Sequence, residues 1–229
     1  MAIVVCGEIF GNDRLAPVLK KNVIFDLDGT LLDTSPGILE SVLYSARRFG
    51  YPELSPGLLA GIIGPPLRES LIRCFGCGEK ELEELVAVYR HYYSEKALFH
   101  AIPYEGVLDL CRCLSQTGDT ILTVATNKPQ ALSERILKHF GFDQYISFIH
   151  GADLQGKLTK ADLIRKCIYD SASDFQVMVG DTGHDAKGAM EAGVPFLAVT
   201  YGFGNQAEML KYPHIGVAAS PAEILQFVL

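Results

Sequence analysis

The sequence predicts an α/β fold: a doubly wound parallel sheet interrupted by an inserted all-helical subdomain. Short β-rich runs at 23–26, 120–126, 145–150, 176–181 and 195–200, with a weaker one at 215–218, are separated by segments whose apolar residues recur at helical spacing. Such alternation implies parallel strands with helices on both faces. Between Asp33 and Tyr104 the strand signal disappears. At the end of the first run stand two aspartates, Asp26 and Asp28, one residue apart.

Taken in order, the first run is Val23-Ile24-Phe25, followed by Asp26-Leu27-Asp28-Gly29-Thr30. Alternation in an extended segment puts Asp26 and Asp28 on one side and Leu27 on the other. Ser35-Pro36 then opens a helix with Ile38, Leu39, Val42, Leu43, Ala46 and Phe49 on one face, stopped by Gly50. A second helix carries Leu67, Leu71, Ile72 and Phe75, and a third Leu82, Leu85, Val86, Tyr89 and Tyr93. After Pro129, Leu132, Ile136, Leu137 and Phe140 repeat at helix spacing as far as Gly141. Leu163, Ile164, Cys167 and Ile168 do so after Lys160, and Ser220-Pro221 starts a final helix. The expected division is a core of residues 1–33 and 105–229 with a helical insert at 34–104. The first twenty residues have no clear assignment.

With 229 residues, 48% of them apolar, the chain can bury one large core or two modest ones. Its net charge of −7 argues against a nucleic-acid partner. Residues 1–10 lack the basic start of a signal peptide, and the apolar runs are strand-length, so no membrane span is expected. The six scattered cysteines fit reduced thiols in a cytoplasm. Cys74, Cys77, Cys111 and Cys113 suit a zinc site poorly, because residues two apart on a helix do not share a face.

Four motifs sit at strand ends or helix starts, the edge where open parallel sheets bind ligands. They are Asp26-Leu-Asp28-Gly29-Thr30, Thr126-Asn127-Lys128, Lys160, and Gly180-Asp181-Thr-Gly-His-Asp185. Two carboxylates crowded at a buried strand end need a cation, a shared proton or a chemical role. Gly29 suits a sharp turn, and Thr30 can bond within it. His184 reads as a helix-start residue, and Tyr89, Tyr92 and Tyr93 as packing. Arg68 and Arg90 read equally as substrate contacts or as solvated charges.

These four motifs, in this order, resemble the haloacid dehalogenase (HAD) superfamily from residue 22 to the C-terminus. The position of the insert resembles its helical-cap branch. Gly64-Pro-Pro-Leu-Arg68, Tyr89-Arg90, Thr126-Asn-Lys-Pro129 and Thr200-Tyr-Gly-Phe-Gly204 resemble the phosphoglycolate-phosphatase-like group. The resemblance implies a Rossmann-like HAD core with a helical cap, acting on a small organic phosphate. It implies Mg²⁺ held by the Asp26 carboxylate, the Asp28 backbone carbonyl and Asp181, since a carboxylate attacks a phosphate dianion only if their repulsion is cancelled.

In this reading Asp26 is the nucleophile, forming an aspartyl-phosphate, and Asp28 the acid–base. Thr126, Asn127 and Lys160 serve the phosphoryl oxygens, while Asp185 holds metal-bound water or Lys160. Gly29, Thr30 and Arg68 complete the expected phosphate and substrate contacts. Many relatives carry the third-motif lysine before a proline; here Lys160 precedes Ala161, and Lys157 is the alternative.

Hinges near 33–35 and 103–106 are expected to let the insert close over the aspartates, with the turn at 61–68 facing the leaving group. A nucleoside monophosphate or sugar phosphate is an alternative substrate, a sugar-phosphate mutase an alternative enzyme, and a non-catalytic regulatory protein the reading of a different class. Dehalogenation does not require Asp28, and a phosphonate hydrolase would want a lysine early in the insert, where none occurs before Glu79. No nucleic-acid or membrane partner is expected, and the protein is expected to be a monomer or homodimer.

Overall fold

The computed structural model describes residues 19–63, 67–153 and 157–229. The expectations for residues 1–18, for Gly64-Pro65-Pro66 and for Gly156 lie outside the described residues. A six-stranded parallel sheet comprises β1 (Lys21–Phe25), β4 (Thr120–Pro129), β5 (Ile146–Ala152), β6 (Phe175–Gly180), β7 (Phe196–Val199) and β8 (Gly216–Ala218), in the order β5-β4-β1-β6-β7-β8. It is the doubly wound sheet that the alternation predicts.

Alternation along β1 sorts its side chains into two layers. Val23 and Phe25 pack with α5 (Val107–Ser115), α6 (Gln130–His139) and the C-terminal helix (Pro221–Val228) through Leu110, Leu114, Ile136, Leu137, Ile224 and Val228. Ile24 faces the opposite layer, with Leu163, Ile164 and Cys167 of α7 (Lys160–Ser171) and Ala186 and Ala189 of α8 (Gly183–Ala192). Asn22 also lies in this layer and is fully bonded. Its amide donates to the Cys167 carbonyl at 3.2 Å and the Ser171 hydroxyl at 3.0 Å, and its oxygen accepts from Thr123 Oγ1 at 2.9 Å.

The insert lies between two short strands, β2 (Leu32–Asp33) and β3 (Ile102–Pro103), which pair antiparallel, so its entry and exit form one ribbon. It contains α1 (Ser35–Arg48), α2 (Pro56–Ala60), α3 (Leu67–Phe75), α4 (Glu79–Tyr92) and a π-helical turn at Tyr93–Ala97. One continuous apolar cluster runs from Val23 and Phe25 through Leu27, Leu31 and Leu32 to Val42, Leu71, Leu82 and Leu85 of the insert. Farther out, Phe99 stacks on His139 of α6 at 4.2 Å, and Arg135 donates to the Ser94 carbonyl at 3.1 Å. Among the described residues no helix is long and apolar enough to cross a membrane.

From β1 the chain builds outward to β4 and β5, then crosses to β6 on the other side. The reversal opens the crevice between the carboxyl ends of β1 and β6, where ligands bind in sheets of this kind.

Candidate active site

The ends of β1 and β6 deliver Asp26 and Asp181 into that crevice. Asp26 N–H donates to the Val179 carbonyl at 2.9 Å, continuing the ladder one residue beyond β1 before the chain turns. Asp26, Asp181 and Asp185 are all buried, and one carboxylate oxygen from each lies within 4.8 Å of the others. Lys160 enters from the first residue of α7. Its ammonium donates to Asp26 Oδ1 at 2.6 Å and the Ala125 carbonyl at 2.8 Å, and forms an ion pair with Asp185 Oδ1 at 2.7 Å. Lys157 is exposed.

Local sequence fixes both helix starts. Thr159 and Asp162 form a capping box that begins α7 at Lys160. Thr182 and Asp185 form another at α8: Asp185 Oδ2 accepts from the Thr182 N–H at 2.9 Å and its hydroxyl at 2.6 Å, leaving Oδ1 to face Lys160. Gly188 lets the helices approach, since a Cβ there would overlap the Lys160 side chain.

Asp181 is held by donors the sequence reading did not assign. Its Oδ2 accepts the Phe203 N–H at 2.8 Å and the Gly204 N–H at 3.3 Å, and its Oδ1 accepts the Thr30 hydroxyl at 3.2 Å. The 200–204 segment thus folds over the acidic cluster, pinned by the Tyr201 hydroxyl donating to the Thr30 carbonyl at 3.1 Å. A Cβ on Gly202 would overlap the Gly29 carbonyl and the Asp181 carboxylate, and Gly29 itself has φ +89°. Thr30 therefore braces Asp181 in this structure, a different contact from the expected one to phosphate.

Asp28 pairs with a second lysine. The Lys128 ammonium donates to Asp28 Oδ1 at 2.7 Å, with the lysine side chain 5% exposed and that of the aspartate 25%. Along β4, Thr126 is buried, Asn127 exposed and Lys128 buried again. The strand period thus turns Lys128 inward and Asn127 out, although the sequence reading chose Asn127. Lys128 also lies 4.9 Å from the Tyr93 ring centroid, and its backbone N–H donates to Thr126 Oγ1 at 3.2 Å.

Arg68 does not join this group. Its guanidinium bridges Glu79 at 2.9 Å and Glu83 at 2.8 Å, two carboxylates one helical turn apart on α4. Arg90 and His184 are exposed, and the Tyr92 hydroxyl donates to Glu40.

Burial dominates the electrostatics. It raises Asp26 to about 7, helped by the charges of Asp185 and Asp28 and opposed by Lys160. Burial, with Asp185 and Asp26, raises Asp181 to about 8 against the Phe203 N–H and the Thr30 hydroxyl. Burial alone would lower Lys160, but Asp185 and Asp26 outweigh it and hold the ammonium charged. Lys128 is likewise held charged, with Asp28 the main opposing influence. Four carboxylates and two ammoniums leave the fully ionised site two positive charges short. The buried all-oxygen donor set of Asp26, Asp181 and Asp185 fits a hard divalent cation.

Comparison with known proteins agrees with this arrangement. The family described as haloacid dehalogenase-like hydrolase matches residues 23–199. A 5'-nucleotidase of Pseudomonas aeruginosa is 34% identical over 216 residues, covering 93% of this chain and 97% of the relative. A phosphoglycolate phosphatase of Agrobacterium fabrum is 31% identical over 193 residues, covering 81% and 82%. The solved structure of Mycobacterium tuberculosis Protein Tyrosine Kinase A superposes with a TM-score of 0.79 at 32% identity, covering 92% of this chain and 98% of that one. The chain belongs to the haloacid dehalogenase-like hydrolases and is an enzyme of their phosphatase kind.

Proposed function

We propose that the protein is a Mg²⁺-dependent phosphomonoester hydrolase that works through an aspartyl-phosphate on a small organic phosphate, in the manner of a phosphoglycolate phosphatase. The observation that carries this reading is the pairing of each motif aspartate with its own buried lysine, Asp26 with Lys160 and Asp28 with Lys128, beside Asp181 and Asp185. Mg²⁺ suits the Asp26 and Asp181 carboxylates and the Asp28 backbone carbonyl, with Asp185 beside them. When bound, it supplies the positive charge that lets a dianionic phosphate approach a carboxylate.

The remaining chemistry belongs to the chain. Asp26 attacks phosphorus, forming the new P–O bond as the ester P–O bond breaks. Asp28, entering the step protonated, gives that proton to the departing alkoxide. It then takes one from the water that attacks the aspartyl-phosphate, releasing inorganic phosphate and the Asp26 carboxylate. Lys160 already donates to Asp26 and Ala125 and is ion-paired with Asp185, so its Asp26 contact is the one exchanged for a phosphoryl oxygen. The Thr126 hydroxyl is a further donor at the end of β4, and Asn127 and Gly29 lie at the same edge. The insert limits access, so the intermediate meets a positioned water. The domain division of core 1–33 and 105–229 with cap 34–104, a cytoplasmic location and a monomeric or homodimeric state accompany this reading.

The test is a panel of phosphoglycolate, nucleoside 5'-monophosphates, sugar phosphates and pyrophosphate with Mg²⁺, scored for free phosphate. Hydrolysis that is lost in Asp26→Asn supports the proposal. Isomerised sugar phosphate in place of free phosphate assigns a mutase, and an Asp26→Asn variant as active as the parent leaves a non-catalytic reading of the site. The likeness to Mycobacterium tuberculosis Protein Tyrosine Kinase A favours one further reading, in which a protein hydroxyl replaces water as acceptor; phosphotyrosine in an added acceptor peptide would mark it.

A further inference from the structure

We propose that Lys128, braced from the insert by Tyr93, is the positioning residue that holds Asp28 on the leaving-group side of the site. The inference rests on the phosphatase reading above and adds to it how the insert helps assemble the acid–base. Asp28 lies beyond the end of β1, where no sheet ladder fixes its side chain. Its hydrogen-bonded anchor among the described residues is Lys128 Nζ, at 2.7 Å. Lys128 in turn lies in β4 between the sheet positions of Thr126 and Pro129, where the register against β5 shifts, and its side chain is buried.

The other side of that lysine is lined by the insert. Tyr93 begins the π-helical turn, is buried, and faces the ammonium with its ring. Its hydroxyl is buried without a hydrogen-bond partner among the described residues, and its ring lies parallel to that of Tyr89, 5.8 Å away. Tyr93 lies four residues after Tyr89, so the regular α4 period carries both rings to the same face, and Tyr93 meets Lys128 at the point where the π-helical turn begins. The two lysines thus divide the work. Lys160 serves the nucleophile from the core, whereas Lys128 spans the core and the insert and serves the proton carrier. An ammonium that only neutralised phosphate would assist every ester alike. One that places Asp28 matters where the leaving group needs a proton.

The experiment compares Lys128→Met on two esters, an alkyl phosphate with a strongly basic leaving oxygen and p-nitrophenyl phosphate, whose leaving group departs unprotonated. Acid–base catalysis supplies roughly 10²–10⁴-fold, so losing the anchor should lower kcat/KM on the alkyl ester about tenfold to a hundredfold. The aryl ester should lose no more than about threefold, since its departure does not draw on that assistance. Lys128→Arg should restore much of the alkyl activity, and Lys128→Met should have no selective effect in an Asp28→Asn background. Tyr93→Leu, which removes the brace without unpairing Asp28, should show the same selectivity to a smaller extent and serves as the test if Lys128→Met does not fold. Equal losses on the two esters, or no loss in either variant, would overturn the proposal. A parent enzyme inactive on both esters would instead reject the phosphatase reading itself.

Discussion

Lys160→Met is the perturbation that the site's electrostatics predict most sharply. The lysine is 6% exposed and lies 2.6 Å from Asp26 and 2.7 Å from Asp185, whose side chains are 9% and 1% exposed. Methionine keeps the length of the side chain and removes the charge together with the hydrogen bonds to Asp26 and the Ala125 carbonyl, leaving two buried carboxylates without their cation. Breaking a buried pair on one side costs about 3–5 kcal/mol. For a chain of this size, at ~2–4 °C per kcal/mol, melting should fall by about 6–20 °C.

The loss should also depend on pH. Asp26 stands at about 7 with Lys160 opposing its rise, so removing the lysine raises it further. In the unfolded chain an aspartate titrates near ~3.9. Between those values the native state holds the proton and the unfolded state does not, so stability falls as pH rises. The deficit against the parent should therefore be larger at pH 8 than at pH 5, measured by thermal melts in metal-free buffer. A loss under about 1 kcal/mol, with no change across that range, would refute the account of this cluster.

Three further outcomes are expected. In metal-free protein, Asp26 and Asp181 stand at about 7 and about 8, above the unfolded value, so their contribution to stability is present at low pH and lost as pH rises toward 8. If Mg²⁺ binds the ionised forms as proposed, a fixed Mg²⁺ concentration that gives about 2.7 kcal/mol at pH 8, a hundredfold excess over Kd there, should stabilise less at pH 6 in paired melts; equal shifts would count against the carboxylate site. Gly202→Ala forces a methyl against the Gly29 carbonyl and the Asp181 carboxylate, and should cost ~1–3 kcal/mol and weaken Mg²⁺ binding in a calorimetric titration. Arg68→Ala should leave relative rates over a substrate panel unchanged, because its guanidinium is engaged by Glu79 and Glu83 on the exterior of the insert.

Much of the fold was legible because strands and helices of this kind write different periods. The runs at 120–126 and 176–181 become β4 and β6, and Leu163, Ile164 and Cys167 mark the buried face of α7. Helix α8 was less visible, since its core face consists of Ala186, Gly188 and Ala189, residues small enough to admit Lys160 but too weakly apolar to set a rhythm. The π-helical turn at Tyr93 follows a regular amphipathic helix, and nothing in the local composition announces the extra residue.

Within the site, Asp26, Asp28, Asp181 and Lys160 lie at strand ends and a helix start, positions that sequence can locate. Lys128 was quoted within its motif without a role; the two-residue alternation from buried Thr126 was the signal that could have found it. The backbone donors of Phe203 and Gly204 carry no side-chain signature, and the close packing of Gly202 and Gly204 against Asp181 is what hints at them. Arg68 depended on which distant acids it meets, and Glu79 and Glu83 come to it through the fold of the insert.

The central claim is that Asp26 carries the phosphoryl group. Brief mixing of enzyme, Mg²⁺ and a phosphate ester labelled in its phosphate, followed by acid quench and proteolysis, tests it directly. The account predicts label on the peptide containing Asp26, its decay on chasing with unlabelled ester, and none in Asp26→Asn. Free labelled phosphate formed at full rate with no label ever retained on that peptide, and undiminished in Asp26→Asn, would contradict it.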